Sequence, residues 1–378
     1  MKFQQNHTIG MVVLVLLSMH SCKQIRNVTD FIIQPTARDL YAREFNTIDT
    51  VRFNIWQNAY QKAKGDSLQI RLPYVEQGEH FTSRNVVYSY NVSLNEGGIL
   101  HIVLDNKVSG FRSFIDVIKV NYDSSLTVAR QNEIGENKLI VPIDETGTYR
   151  LLVQPELEAQ GPFSLHIYSS PSFGFPVLGK DNKAIQSFWG ALRAGGNRSH
   201  EGIDIFADRG TPVLAATPGR VTSTGEKGLG GKQVWLRTGV FGKSLYYAHL
   251  DSILVSTGKK VDLGDTLGFV GNTGNAKTTS PHLHFGIYKS GLGAIDPLPF
   301  VERTTIPTLS TMQNITKNVK ISAKVANLRD TPNVHGLKLG ETYQNDTLSL
   351  LGYTENWAHV KMQTGMKAFV HRSLIAMP

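Results

Sequence analysis

The sequence predicts a mainly β protein built from several modules: an N-terminal β-sandwich, a central antiparallel β-sheet domain, and a last segment of short strands and turns. Three observations predict it. The 378 residues include 35 glycines, which suits short strands and tight turns better than long helices. Apolar residues alternate with period two in repeated runs between about residues 51 and 170. From about Phe175 to Phe300 no long amphipathic helix pattern occurs, and glycine-bounded strands dominate. The length also exceeds what one hydrophobic core usually supports.

The first 22 residues read as an export signal. Lys2 supplies a small positive start, and Ile9 to Met19 is an apolar run too short to span a bilayer as a helix. Ser21 and the chain's only cysteine, Cys22, follow at once. This arrangement resembles a bacterial lipoprotein signal, in which the cysteine becomes the lipidated N-terminus. The resemblance implies an exported, membrane-anchored protein of the cell envelope, facing the periplasm. Residues 23–50 are expected to be a tether. One cysteine excludes an intrachain disulfide framework and a Cys-rich zinc site, so any metal must be held by His, Asp or Glu. The formal charge is +8, but Lys and Arg are scattered and no nucleic-acid motif appears, so no nucleic-acid partner is expected.

From Val51 to Tyr168 the pattern is mostly strand. Val86–Val92, Ile99–Leu104, Phe114–Val120 and Tyr149–Val153 are runs of this kind, and Phe163, Leu165 and Ile167 alternate with polar neighbours. Asn95 to Gly98 and Glu145 to Gly147 supply turns. A β-sandwich over residues 51–170 follows. Gly147 to Tyr168 resembles the end of the β-sandwich modules found beside secreted proteases. His80, His101 and His166 stand alone here and are expected to be ordinary histidines.

Ser169 to Pro176 marks a boundary, and residues 171–303 carry the chemistry. Three clusters stand out: His200-Glu201-Gly202-Ile203-Asp204, Tyr246-Tyr247-Ala248-His249, and Pro281-His282-Leu283-His284-Phe285. On a strand, His282 and His284 point to one side and Leu283 to the other, toward a core. His200 and Asp204 are also separated by an even number, so they share a face of an extended segment. A zinc-binding helix of the His-Glu-x-x-His kind is rejected. Gly202 weakens a helix, Ile203 and Ile205 are β-branched, Gly210 and Pro212 follow, and the second histidine is missing. A catalytic zinc takes three protein ligands and leaves a position for water. His200, Asp204 and one of His282 and His284 would supply them, leaving the other histidine and His249 to move protons. Ligand type alone also permits another divalent ion. Gly228, Gly230 and Gly231 lack the spacing of a phosphate loop. One of Tyr246 and Tyr247 is expected in the core, and Trp189 too.

These residues resemble the lysostaphin/LytM-type zinc metallopeptidase family over roughly Phe188 to Asp296. The match also includes Gly210-Thr211-Pro212-Val213, Gly219-Arg220-Val221 and Val270-Gly271-Asn272-Thr273-Gly274. The resemblance implies an antiparallel β-sheet peptidase domain in which His200, Asp204 and His284 bind one Zn2+ ion. It implies that His249 and His282 are the catalytic histidines, orienting or deprotonating water and stabilising the tetrahedral intermediate. The implied function is zinc-dependent endopeptidase cleavage of peptide cross-links in bacterial peptidoglycan, with a D,D-endopeptidase-like bond favoured by a Gram-negative envelope. The alternative is a catalytically inactive envelope adaptor or regulator of other cell-wall hydrolases. Family members usually carry Glu after the final His-Phe; Gly286 stands there, which implies changed packing behind the site rather than a lost ligand.

Residues 304–318 form a polar linker. In residues 319–378, Ala326-Asn327-Leu328-Arg329-Asp330-Thr331-Pro332, Gly340, Trp357-Ala358-His359-Val360 and Ala368-Phe369-Val370 resemble a bacterial SH3-like domain, implying a small barrel that binds cell-wall peptides or packs against the catalytic domain. Phe369 stands where Trp is common. His335, His359 and His371 are not expected to be ligands.

Overall fold

Among the described residues, two helices precede the first strand. The structure is a computed structural model that describes residues 35–45, 50–66, 68–106, 110–239, 242–306 and 315–376. The expected export signal at residues 1–22, with Cys22, lies outside the described residues. Helix α1 spans Ala37–Phe45 and α2 spans Thr50–Ala63. Both correct the expectation of a tether to residue 50 with strand beginning at Val51. In α2, Phe53, Trp56, Tyr60 and Ala63 recur at helical spacing and are all buried. Each large ring removed from water contributes roughly 1.5–3 kcal/mol. Trp56 also donates its indole N–H to the Pro155 carbonyl at 2.8 Å.

The N-terminal strands are β1 (Tyr74–His80), β2 (Tyr88–Leu94), β3 (Gly98–Asp105), β4 (Ser113–Val120), β5 (Leu126–Gln131), β6 (Lys138–Pro142), β7 (Gly147–Pro155) and β8 (Gly161–Pro171). They form two facing antiparallel layers, β1-β8-β3-β6 and β2-β7-β4-β5. Alternation decides the faces. Ile115, Val117, Leu151 and Val153 enter the core between the layers, whereas Phe114, Ile118 and Leu152 face outward and are covered by α1 and α2. Of the isolated histidines, His80 is buried and stacks 4.3 Å from Phe163, His101 stacks 4.6 Å from Tyr168, and His166 bonds Ser164.

The central strands are β9 (Ile185–Ser187), β10 (Leu192–Arg193), β11 (Arg198–Ser199), β12 (Ile203–Phe206), β13 (Pro212–Leu214), β14 (Gly219–Lys227), β15 (Gly231–Arg237), β16 (Ser244–Ile253), β17 (Lys260–Val261), β18 (Thr266–Val270), β19 (His282–Lys289) and β20 (Gly293–Ile295). Their main path is β17-β14-β15-β16-β19-β12-β9, antiparallel throughout, with β18 also pairing β16 and β13. A single helical turn, α3 (Leu298–Val301), follows. One face of the sheet carries a core of Ile203, Ile205, Val234, Leu236, Leu245, Tyr247, Leu283, Phe285 and Ile287. The opposite side chains of β12, β16 and β19 are left to build a groove.

The C-terminal strands are β21 (Asn318–Ile321), β22 (Val325–Arg329), β23 (Lys338–Tyr343), β24 (Thr347–Thr354), β25 (Trp357–Lys361), β26 (Lys367–His371) and β27 (Ile375–Ala376). Strand β24 pairs with β1, so these strands and one layer of the N-terminal sandwich form a continuous eleven-stranded sheet. A buried polar cluster sits at this junction. The Glu76 carboxylate accepts from Tyr74 at 2.6 Å, from His359 Nδ1 at 2.9 Å, and from Tyr90. Burial pushes the Glu76 carboxyl up, but the His359 ring and the tyrosine hydroxyls outweigh it and hold the carboxyl below its ordinary range.

The N-terminal sandwich meets the central domain through the turn between β2 and β3. Glu96 pairs with Lys243 at 3.3 Å and Lys289 at 3.0 Å, and Gly97 lies against the Phe300 ring. Lys289 ends β19, seven residues and about 23 Å along the strand from His282. Among the described residues, no helix is long and apolar enough to cross a membrane.

Candidate metal centre and groove

The pairing of β12 with β19 brings the first and third sequence clusters together. Asp204 lies directly opposite His284, and Ile205 opposite Leu283. The even-numbered groups therefore share the groove face, while Ile203, Ile205, Leu283 and Phe285 are fully buried on the other. His200 precedes β12, and its backbone is fixed by the N–H···O bond to Ala191 at 2.9 Å. His200 Nδ1 donates to the Phe188 carbonyl at 2.9 Å, which turns Nε2 inward.

Three atoms then converge. His200 Nε2, Asp204 Oδ1 and His284 Nδ1 lie 3.0 Å from one another. Because His200 Nδ1 carries the proton given to Phe188, Nε2 presents a lone pair. It points at a carboxylate oxygen and a second imidazole nitrogen. Such a gathering of acceptors is repulsive unless a proton or a cation sits among them. Zinc–nitrogen and zinc–oxygen bonds are about 2.0–2.2 Å, so one ion can touch all three atoms. The donor set fits a catalytic zinc. Burial pushes the Asp204 carboxyl up, but the imidazoles of His200 and His284 beside it outweigh this and hold it well below the ordinary range.

The outer oxygen of Asp204 is held by a residue the sequence did not reveal. Arg193 Nη2 donates to Asp204 Oδ2 at 2.8 Å and also to the Ser187 hydroxyl. Arg193 comes from the two-residue pairing of β10 with β11, which has no periodic signature. A second missed contact explains the glycine inside the first cluster. A Cβ on Gly202 would stand 2.6 Å from Cε1 and 2.8 Å from Nε2 of His284, so only glycine lets the His284 ring lie against this segment.

His249 and His282 complete the site. At His249, β16 changes partner: Ala248 pairs with His284, but Leu250 pairs with Val270 of β18. The backbone there takes φ +62°, the left-handed region that non-glycine residues rarely adopt. That departure aims His249 at the groove instead of the core, where Tyr247 points. Its Nδ1 donates to the Thr273 carbonyl at 2.9 Å, and His282 Nδ1 donates to the Ser280 carbonyl at 2.8 Å. Each Nε2 is left free. The two rings lie 5.1 Å apart, and His249 is 5.9 Å from His284. Burial, reinforced by the neighbouring histidines, lowers the His249 pKa to about 4, so its ring is neutral at pH 7.

All five candidate residues thus line one groove of about 650 Å³, together with Arg193, Arg198, Glu201, Phe206, Tyr246 and Tyr288. Every residue lining it belongs to the central domain. Tyr246 faces the groove. Tyr247 is the buried one, and its hydroxyl accepts from the Ala216 N–H at 3.0 Å. Trp189 departs from expectation: it is partly exposed and belongs to none of the described core clusters, because it lies just beyond the end of the edge strand β9.

Residues 198–297 match the family model described as Peptidase family M23. The chain is 35% identical over 136 residues to the L-Ala–D-Glu endopeptidase of Bacillus subtilis, covering 33% of this chain and 41% of that protein. It is 43% identical over 88 residues to the DD-carboxypeptidase/endopeptidase Mpg of Neisseria meningitidis, covering 23% and 20%. The chain thus spans less than half the length of these curated relatives. Against the catalytic domain of the antimicrobial peptidase lysostaphin from Staphylococcus simulans, the identity is 34%, with 30% of this chain and 87% of that chain covered and a TM-score of 0.28.

Proposed function

We propose that the peptidase family M23 domain at residues 198–297 is a zinc-dependent endopeptidase that cuts peptide bonds in bacterial peptidoglycan. The single observation that carries the reading is the convergence of His200, Asp204 and His284 at 3.0 Å beside two further histidines with free Nε2 atoms. The peptide-bond specificities by which these relatives are named support the substrate class.

His200, Asp204 and His284 would hold the ion. Bound there, zinc supplies Lewis acidity that polarises the scissile carbonyl and makes water more acidic. The chain's own groups do the rest. Arg193 and the Phe188 carbonyl fix the orientation of the ligands. His249, neutral at pH 7, accepts a proton at Nε2 from the attacking water and can return it to the leaving amine. His282, with Nδ1 tied to Ser280, presents a second Nε2 lone pair, which orients the attacking water by accepting from it.

Digestion of purified sacculi, followed by mass spectrometry of the released muropeptides, tests the reading. Cleaved peptide stems or cross-links are expected from the wild-type chain. His249→Ala is expected to retain zinc and lose cleavage, and His200→Ala to lose both. Unchanged muropeptides with zinc bound would favour the adaptor reading. A D,D-type bond is proposed on the envelope setting, which itself rests on a lipid anchor at Cys22. Mass spectrometry of the membrane-fraction protein tests that anchor. The C-terminal strands are proposed, on their sequence, to be SH3-like, and their junction with β1 supports a packing role.

A further inference from the structure

On one side of the three converging ligands, the groove carries a patch that the chemistry above leaves unused. Beyond His284, the groove face of β19 continues through Gly286 to Tyr288. Trp235 lies 4.4 Å from Tyr246 and 5.1 Å from Tyr288, ring centre to ring centre, and Tyr246 stands edge-on to His284 at 5.7 Å. These rings form an aromatic wall running away from the ligands. At its end the Tyr288 hydroxyl donates to Glu201 Oε2 at 3.3 Å. Glu201 is exposed, lines the groove and makes no ion pair among the described residues. Burial, with the Glu201 charge beside it, pushes the Tyr288 hydroxyl up to about 12, so it remains a donor.

Gly286 makes this arrangement possible. A Cβ there would stand 3.1 Å from the Glu201 carbonyl oxygen and 3.1 Å from Tyr288 Cε2. Its absence lets the Tyr288 ring lie over the strand and brings its hydroxyl to Glu201. The groove also carries Arg193 and Arg198, and Arg193 is paired with Asp204.

We propose that Glu201, Tyr246 and Tyr288 form a specificity subsite for an ammonium group of the peptide substrate, close to the bond that is cut. An unpaired carboxylate beside electron-rich ring faces is the chemistry that selects a cationic amine over a neutral amide or a carboxylate. The subsite rests on the reading of this groove as a peptidase site. The ammonium can belong to a side chain or to a free amino terminus, and the two are separable.

The test uses the full, zinc-loaded chain and three peptide amides: acetyl-Ala-Ala-Lys-Ala, its Nε-acetyl counterpart, and Ala-Ala-Ala-Ala with a free amino terminus. Binding is measured by isothermal titration calorimetry. One of the two amine-bearing peptides is expected to bind on the order of tenfold more tightly than the blocked one, and which of them does so identifies the source of the ammonium. That preference should vanish in Glu201→Gln and weaken in Tyr288→Phe. Equal binding of all three peptides, or a preference that survives Glu201→Gln, overturns the subsite. Sacculus digestion by the same preparation separates the two readings. A chain that prefers the amine but cuts nothing keeps the subsite and loses the peptidase; a chain that cuts without preference does the reverse.

Discussion

Arg193 and Asp204 divide the work of one carboxylate. Arg193 Nη2 holds Oδ2 at 2.8 Å, and this leaves Oδ1 at 3.0 Å from both His200 Nε2 and His284 Nδ1. Supporting contacts of this kind typically change metal affinity by about 10–100-fold when removed. Arg193→Ala is therefore expected to weaken zinc binding within that range while leaving the fold intact, as read by competition with a chromogenic chelator. Arg193→Lys should recover only part of it, because an ammonium cannot hold Asp204 and Ser187 in the same planar fork. Unchanged affinity in both variants would remove Arg193 from the account.

Gly202 limits the approach of a ligand rather than a turn. Its φ is not in the left-handed region, so only the space matters. In Gly202→Ala the new Cβ meets the His284 ring at under 3 Å. Overpacking of this type costs about 1–3 kcal/mol. The expected result is a lower melting temperature with zinc bound and a larger loss of zinc affinity than at exposed glycines such as Gly190. A variant that binds zinc as the wild type does would contradict the stated contact.

The buried junction between β1 and β24 should behave as one unit. Glu76 and His359 are both fully buried and 2.9 Å apart. Removing one member of such a pair typically costs 3–5 kcal/mol, because the other is left buried without its partner. Glu76→Leu and His359→Phe are each expected to approach that cost in urea unfolding. The double variant should cost clearly less than their sum. Additive effects of under about 1 kcal/mol each would show that the two residues do not depend on each other.

Acid stability should carry the mark of His80. Burial among aromatic rings lowers its pKa from 6.5 to about 3. The unfolded chain takes up a proton as pH falls below 6.5, and the folded chain does not. The stability contributed by neutral His80 is thus fully present above pH 6.5 and is lost progressively as pH falls toward 3. The slope is at most about 1.4 kcal/mol per pH unit. His80→Phe, which keeps a ring against Phe163, should flatten this part of the curve. Identical wild-type and variant slopes between pH 6 and 4 would falsify the assignment.

The site was more legible in the sequence than the modules around it, for a physical reason. His282 and His284 are two apart on one strand, and Asp204 pairs with His284 across the next, so short-range parity already placed the ligands on one face. His249 follows no parity rule. Its aim depends on a change of strand partner and a left-handed φ, so its place in the second cluster marked it but no local pattern gave its direction. Arg193 was hidden because a two-residue pairing leaves no pattern. The helical spacing of Phe53, Trp56, Tyr60 and Ala63 was present but lay in a stretch read as strand. The junction of Gly78 with Gly352 joins residues too distant in sequence for any local pattern to announce.

That His200, Asp204 and His284 hold one ion at which peptide bonds are cut is tested by the rate of muropeptide cleavage as zinc is returned to the stripped chain, measured together with bound zinc. The rate is expected to rise in proportion to bound zinc and to level off at one ion per chain, with His284→Ala neither binding nor cutting. Full cleavage by the stripped chain, or one tightly bound ion with no peptide cut, would contradict it.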